Sequence, residues 1–94
     1  MPAMSAVETA DANLARVKAS VNASNVNFQD PKEEGMTPLH FAAVQCRRAA
    51  IPNYLLSLGA NVLLQDDDGM TPLHYAVNSD NAFMTQWLLA NGGY

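Results

Sequence analysis

Two histidines, one cysteine and a run of three aspartates are the residues of this 94-residue chain whose types could do chemistry. His40 and His74 could serve as acid and base or as metal ligands, because imidazole changes charge near neutral pH. Each closes the same hexapeptide. Gly35-Met36-Thr37-Pro38-Leu39-His40 returns, residue for residue, as Gly69-Met70-Thr71-Pro72-Leu73-His74. A histidine placed once per repeated unit lies about one unit away from its counterpart. That separation is far beyond what the ~2 Å bonds of a shared zinc ion allow. Cys46 could be a nucleophile, and neighbouring Arg47 and Arg48 would favour its thiolate. No cysteine-centred catalytic pattern surrounds it, so a half-buried or exposed thiol is expected. Asp66-Asp67-Asp68-Gly69 has neither the alternating ligands nor the distant glutamate of a calcium loop and is expected to be a solvated turn. There is no phosphate-cradling glycine loop, no Gly-x-Ser-x-Gly and no His-Glu-x-x-His. No enzyme, cofactor or metal is therefore expected.

The elements that must position these residues follow from the repeat itself. Thr37 and Thr71 stand 34 residues apart, whereas Tyr54-Leu55-Leu56 and Trp87-Leu88-Leu89 stand 33 apart. One extra residue thus lies in the earlier copy, between Cys46 and Ala50. Thr-Pro opens a helix, since the hydroxyl caps free N–H groups and proline suits the first helical position. Leu39, Ala42 and Ala43 then recur at helical spacing, as do Leu73, Ala76 and Val77. A second helix carries Ile51, Leu55 and Leu56 in one copy and Met84, Leu88 and Leu89 in the other. Gly59 and Gly92 end these helices by taking the left-handed conformation. The stretch from Asn61 to Gly69 suits an extended, hairpin-like return to the next Thr-Pro.

Composition narrows the function classes. The chain is 49% hydrophobic and 15% charged, with a formal charge of −4 from nine acidic and five basic residues. Such a balance is globular rather than disordered. It offers no basic patch for phosphates, so nucleic acid is not an expected partner. A single cysteine forms no internal disulfide, which suits a reducing compartment. No stretch approaches the ~20 apolar residues of a membrane span. The first residues, Met1-Pro2-Ala3-Met4-Ser5, lack the basic and apolar regions of a signal peptide. A cytoplasmic or nuclear location is expected.

Thr-Pro-Leu-His, the following alanines, the Leu-Leu pair, Gly59-Ala60-Asn61 and the Asp-Gly turn together resemble the ankyrin repeat, over roughly Leu14 to Gly93. The resemblance implies an all-α solenoid of helix-turn-helix units joined by hairpin-like loops. It divides the chain, as one domain, into a degenerate copy at 5–34, a sound one at 35–68 and an uncapped one at 69–94. It implies that each histidine locks its own turn. It also implies a protein-binding module, with contacts on the hairpin tips and the exposed side of the first helix. In this sequence those positions are Glu33, Glu34, Met36, Val44 and Gln45, then Asp67, Asp68, Met70, Asn78 and Ser79. Acidic tips backed by methionine and valine suit a partner segment that carries lysine or arginine beside an apolar anchor.

The pattern departs from the family in three places. In the first copy Leu14, Val17 and Val21 would form the second helix, with Asp11 an acceptable N-cap for it; residues 5–11 would form a short capping helix or stay loose, and Ala23-Ser24-Asn25 replaces the glycine stop. In the second, the extra residue and Pro52 make the helix begin late, near Ala50 or Ile51. In the third, Trp87, Leu88 and Leu89 are bulky for a terminal helix with no polar cap after it. This end is expected to belong to a longer array, or to pack on a partner or weakly on a second copy of the chain, which is otherwise a monomer.

Overall fold

The computed structural model describes residues 19–94. The expectations for residues 5–11, Asp11, Leu14 and Val17 lie outside them. Among the described residues four complete helices follow the helical residues 19–20: α1 (Pro38–Gln45), α2 (Ala50–Ser57), α3 (Pro72–Asn78) and α4 (Ala82–Ala90). A 3-10 turn, Pro31–Glu33, precedes them. Among the described residues the only β pairing is an isolated antiparallel bridge between Asp30 and Met36. The fold is all-α, with two complete helix pairs among the described residues; α1 packs on α2, α3 and α4, and α3 packs on α4.

Local chemistry sets the helix limits. At α1 the Thr37 hydroxyl accepts the His40 N–H while the Thr37 N–H donates to His40 Nδ1 at 3.0 Å, so both ends of the first turn are satisfied. Thr71 and His74 repeat the second of these bonds at 3.0 Å. The helix α2 starts at Ala50, where the lengthened loop places it, and has no side-chain cap. Pro52 falls within its first turn, where the missing N–H leaves no broken bond. The ends of α2 and α4 are alike. Gly59 (φ 95°) and Gly92 (φ 82°) turn left-handed. The residue after each glycine donates back into the helix, Ala60 N to Leu55 O at 3.1 Å and Gly93 N to Leu88 O at 2.7 Å.

The core is a thin seam between the helix pairs. Leu39, Ala42, Ala43 and Leu55 from the first pair meet Ala76, Met84, Trp87 and Leu88 from the second, joined by Val26 and Ala60 from the loops. Alanine at the α1–α3 crossing lets two backbones approach closely, and Ala43 and Ala76 are fully buried. Three residues expected on the apolar faces stand outside this seam. Val77 is 58% exposed, Leu89 44% and Leu56 36%. Val77 matches Ala43, which the second helix pair covers; no described residue covers Val77 in that way. Leu56 and Leu89 are each the second of a Leu-Leu pair, and one helical step turns a side chain about 100° away from its neighbour.

Candidate interaction face

The hairpins ahead of α1 and α3 are held as a ladder of bonds between one repeat and the next. Glu34 takes the left-handed conformation (φ 59°), and its carbonyl accepts the Asp67 N–H at 2.8 Å. The Asp67 carboxylate lies over Gly35, where an added Cβ would stand 2.5 Å from its Oδ1. Gln29 Nε2 donates to the carbonyls of Gly35 and Gln65. Asn27 bridges the loops, donating to Gly59 O at 3.1 Å and accepting Asn61 N–H at 2.7 Å.

His40 ties this ladder to the helices. Its Nδ1 accepts from Thr37, so Nε2 carries the proton and donates to Met70 O at 2.8 Å. The ring is fully buried and meets Tyr75 edge-on, with centroids 5.4 Å apart. Each histidine thus locks its own turn, as expected, but His40 also spans two repeats. That second bond was not legible from the turn motif alone. His74 is exposed.

Asp66 corrects the expectation of a wholly solvated aspartate run. Asp67 and Asp68 are exposed, but Asp66 is buried. Its carboxylate accepts the N–H groups of Asp68 at 2.9 Å and Met70 at 2.8 Å, together with the Tyr75 hydroxyl. Burial works to raise this carboxyl, but the bonds from Tyr75, Met70 and Asp68 outweigh it and hold the group below the usual carboxylate range. The same bond, with burial and the nearby acidic charges, pushes the Tyr75 hydroxyl up to about 12. Asp66 therefore shapes the tip that presents its two neighbours.

Deeper in the seam Asn81 caps α4 and donates to the carbonyls of Ala43 and Cys46 at 2.9 and 2.8 Å. Trp87 Nε1 donates to Asn53 Oδ1 at 2.9 Å. The Cys46 thiol is half-buried, and that burial raises it above its ordinary range, against the thiolate that Arg47 and Arg48 would favour.

On this frame the expected contact residues fall into two equivalent groups. Glu33, Glu34, Asp67 and Asp68 are exposed at the tips; Met36 and Met70 are half-buried behind them. The backbone of each methionine is committed: Met36 O accepts Asp30 N–H, and Met70 O accepts both Asp66 N–H and His40. Each methionine as a whole stays partly exposed. Val44 and Gln45 end α1, Asn78 ends α3, and Ser79 caps it; Gln45 and Asn78 are exposed, Val44 and Ser79 half-buried. The Glu34–Asp67 bond joins the two tips, and the α1–α3 packing joins the two helix ends. Chemically the arrangement offers carboxylates and soft apolar side chains on a fixed backbone. No described helix is long and apolar enough to cross a membrane. A family model described as ankyrin repeats, in three copies, matches residues 3–94.

Proposed function

The chain belongs to the ankyrin-repeat family, and from that premise we propose that it binds a partner protein through the hairpin tips and the ends of α1 and α3. Ankyrin repeats are generally protein–protein interaction modules and typically carry no catalysis. The observation that supports this face is the bonding of one tip to the next. Glu34 O to Asp67 N and His40 Nε2 to Met70 O fix the spacing of Glu33, Glu34, Asp67 and Asp68 before any partner arrives. A preorganised surface binds without the entropic cost of ordering its loops. The partner segment carries lysine or arginine to meet the tips and an apolar side chain to meet Met36, Met70 and Val44. The role is that of an adaptor or scaffold in the cytoplasm or nucleus.

The test pairs the intact chain with a variant in which Glu33, Glu34, Asp67 and Asp68 are alanine, both used as bait in extract from the source cell. Partners held by the intact chain and lost by the variant support this face. Identical partner sets, with both baits folded, overturn it.

A second reading has its own observation. Val77 on α3, Leu89 on α4 and Tyr94 beyond α4 are 58%, 44% and 82% exposed. Self-association through these residues, or their cover by a further part of a larger enzyme that the chain would regulate, removes that apolar surface from water. Light scattering over a wide concentration range separates the first case: a constant mass excludes it.

A further inference from the structure

We infer that the groove beside Met36 is the anchor pocket of this binding face, seating one aromatic or long aliphatic side chain from a partner segment whose flanking residues are cationic. The inference rests on the protein-binding reading and adds where the anchor sits and what surrounds it. The groove encloses about 310 Å³, at the lower end of the ~300–1,000 Å³ range of ligand pockets. Val21, Phe28, Met36, Pro38 and Phe41 give it an apolar lining, and Ser20, Asn25 and Asp30 complete it with polar residues. Two aromatic rings here remain in contact with solvent, Phe28 at 58% and Phe41 at 37%.

The next repeat shows what a ring in this register receives. Tyr75 corresponds to Phe41 and is met edge-on by the His40 ring. Phe41 keeps 37% of its surface in solvent. A flat or elongated apolar side chain entering beside Met36 would cover that ring, and methionine adapts to such a guest. Charge selects what flanks the guest. Asp30, Glu33 and Glu34 stand on the adjoining hairpin against a single cation, Lys32. Lysine or arginine on either side of the anchor is attracted; acidic flanks are repelled.

The probe is the synthetic peptide Lys-Arg-Trp-Arg-Lys, titrated into the intact chain while NMR follows the Met36 methyl and the Phe28 and Phe41 rings. Saturable shifts at these three residues are expected. Replacing the peptide tryptophan by alanine, or Phe28→Ser in the protein, should weaken binding about tenfold or more. Phe28 is largely exposed, so its replacement leaves the core intact; Phe41→Leu provides a second variant that keeps the site apolar but removes the ring. Equal binding of the alanine peptide, or unchanged binding by both protein variants, overturns the inference. So do contacts from residues 1–18 to Phe28 and Phe41 that persist at saturating peptide, or shifts that follow protein concentration without peptide and so point to a second copy. A natural partner that depends on the acidic tips but ignores Phe28→Ser would defeat the anchor pocket and leave the binding reading standing.

Discussion

At the scale of single residues, His40 and His74 share a motif but not a burden. His40 is buried and bonded to both its own turn and Met70 of the next repeat; His74 has the turn bond and stands exposed. Replacing His40 by alanine leaves a cavity, takes the acceptor from the buried Thr37 N–H and removes one of the two bonds to Met70 O, at a cost of about 2–4 kcal/mol. The same change at His74 should cost less than about 1 kcal/mol. Thermal unfolding of the two variants measures the difference, and equal losses would mean that the Met70 bond contributes nothing. The Asp66–Tyr75 pair makes a prediction about pH. A carboxyl held low in the folded state stabilises the fold above its unfolded range, and that stability is lost as pH falls through the folded value. A tyrosine raised to about 12 gives stability that is full below its unfolded value and lost as pH rises through about 12. Tyr75→Phe should therefore move the Asp66 carboxyl upward, seen in its side-chain carbon titration, and make acid unfolding begin at higher pH. The motif made the histidine turns legible in the sequence. It did not reveal Asp66 as the buried member of its run, because three identical neighbours differ only in the direction that the turn gives them.

At the scale of elements, glycine marks where the hairpins meet. Gly35 and Gly69 both have positive φ, 77° and 79°. A Cβ on Gly69 meets nothing within 4 Å, whereas one on Gly35 meets the Asp67 side chain at 2.5 Å and its backbone nitrogen at 3.2 Å. Both alanine variants carry backbone strain of about 1 kcal/mol, but Gly35→Ala must also displace the next tip. It should be the less stable of the two in denaturant titration, with Asp67→Ala in the same chain restoring part of the gap. Equal stabilities would show that the tips are not in contact in solution. The helix pairs themselves were legible. Thr-Pro, the alanine spacing and the terminal glycines placed α1 to α4, and the extra residue with Pro52 placed the late start of α2. What escaped were the bonds between loops, such as Asn27 to Gly59 and Asn61, because no local spacing encodes a partner more than thirty residues away.

At the scale of the whole molecule, the described residues form two helix pairs joined by a narrow seam, with carboxylates fixed along one hairpin edge. Sequence placed the ten contact positions only through resemblance. The structure adds that the backbone bond from Asp67 N to Glu34 O ties one tip to the next, while Glu33, Glu34, Asp67 and Asp68 stay exposed. Charges so exposed act mainly on encounter and on salt dependence, and contribute little to folding. The four-alanine variant should accordingly keep its thermal midpoint within a few degrees. Whether the acidic tips hold a partner is read from the affinity of the intact chain and of that variant for one captured partner, taken across a series of salt concentrations. Binding by the intact chain is expected to weaken steeply with salt, and the variant to bind more weakly with a shallower slope. Equal affinity and equal slope for the two chains would rule out the tips as the binding face.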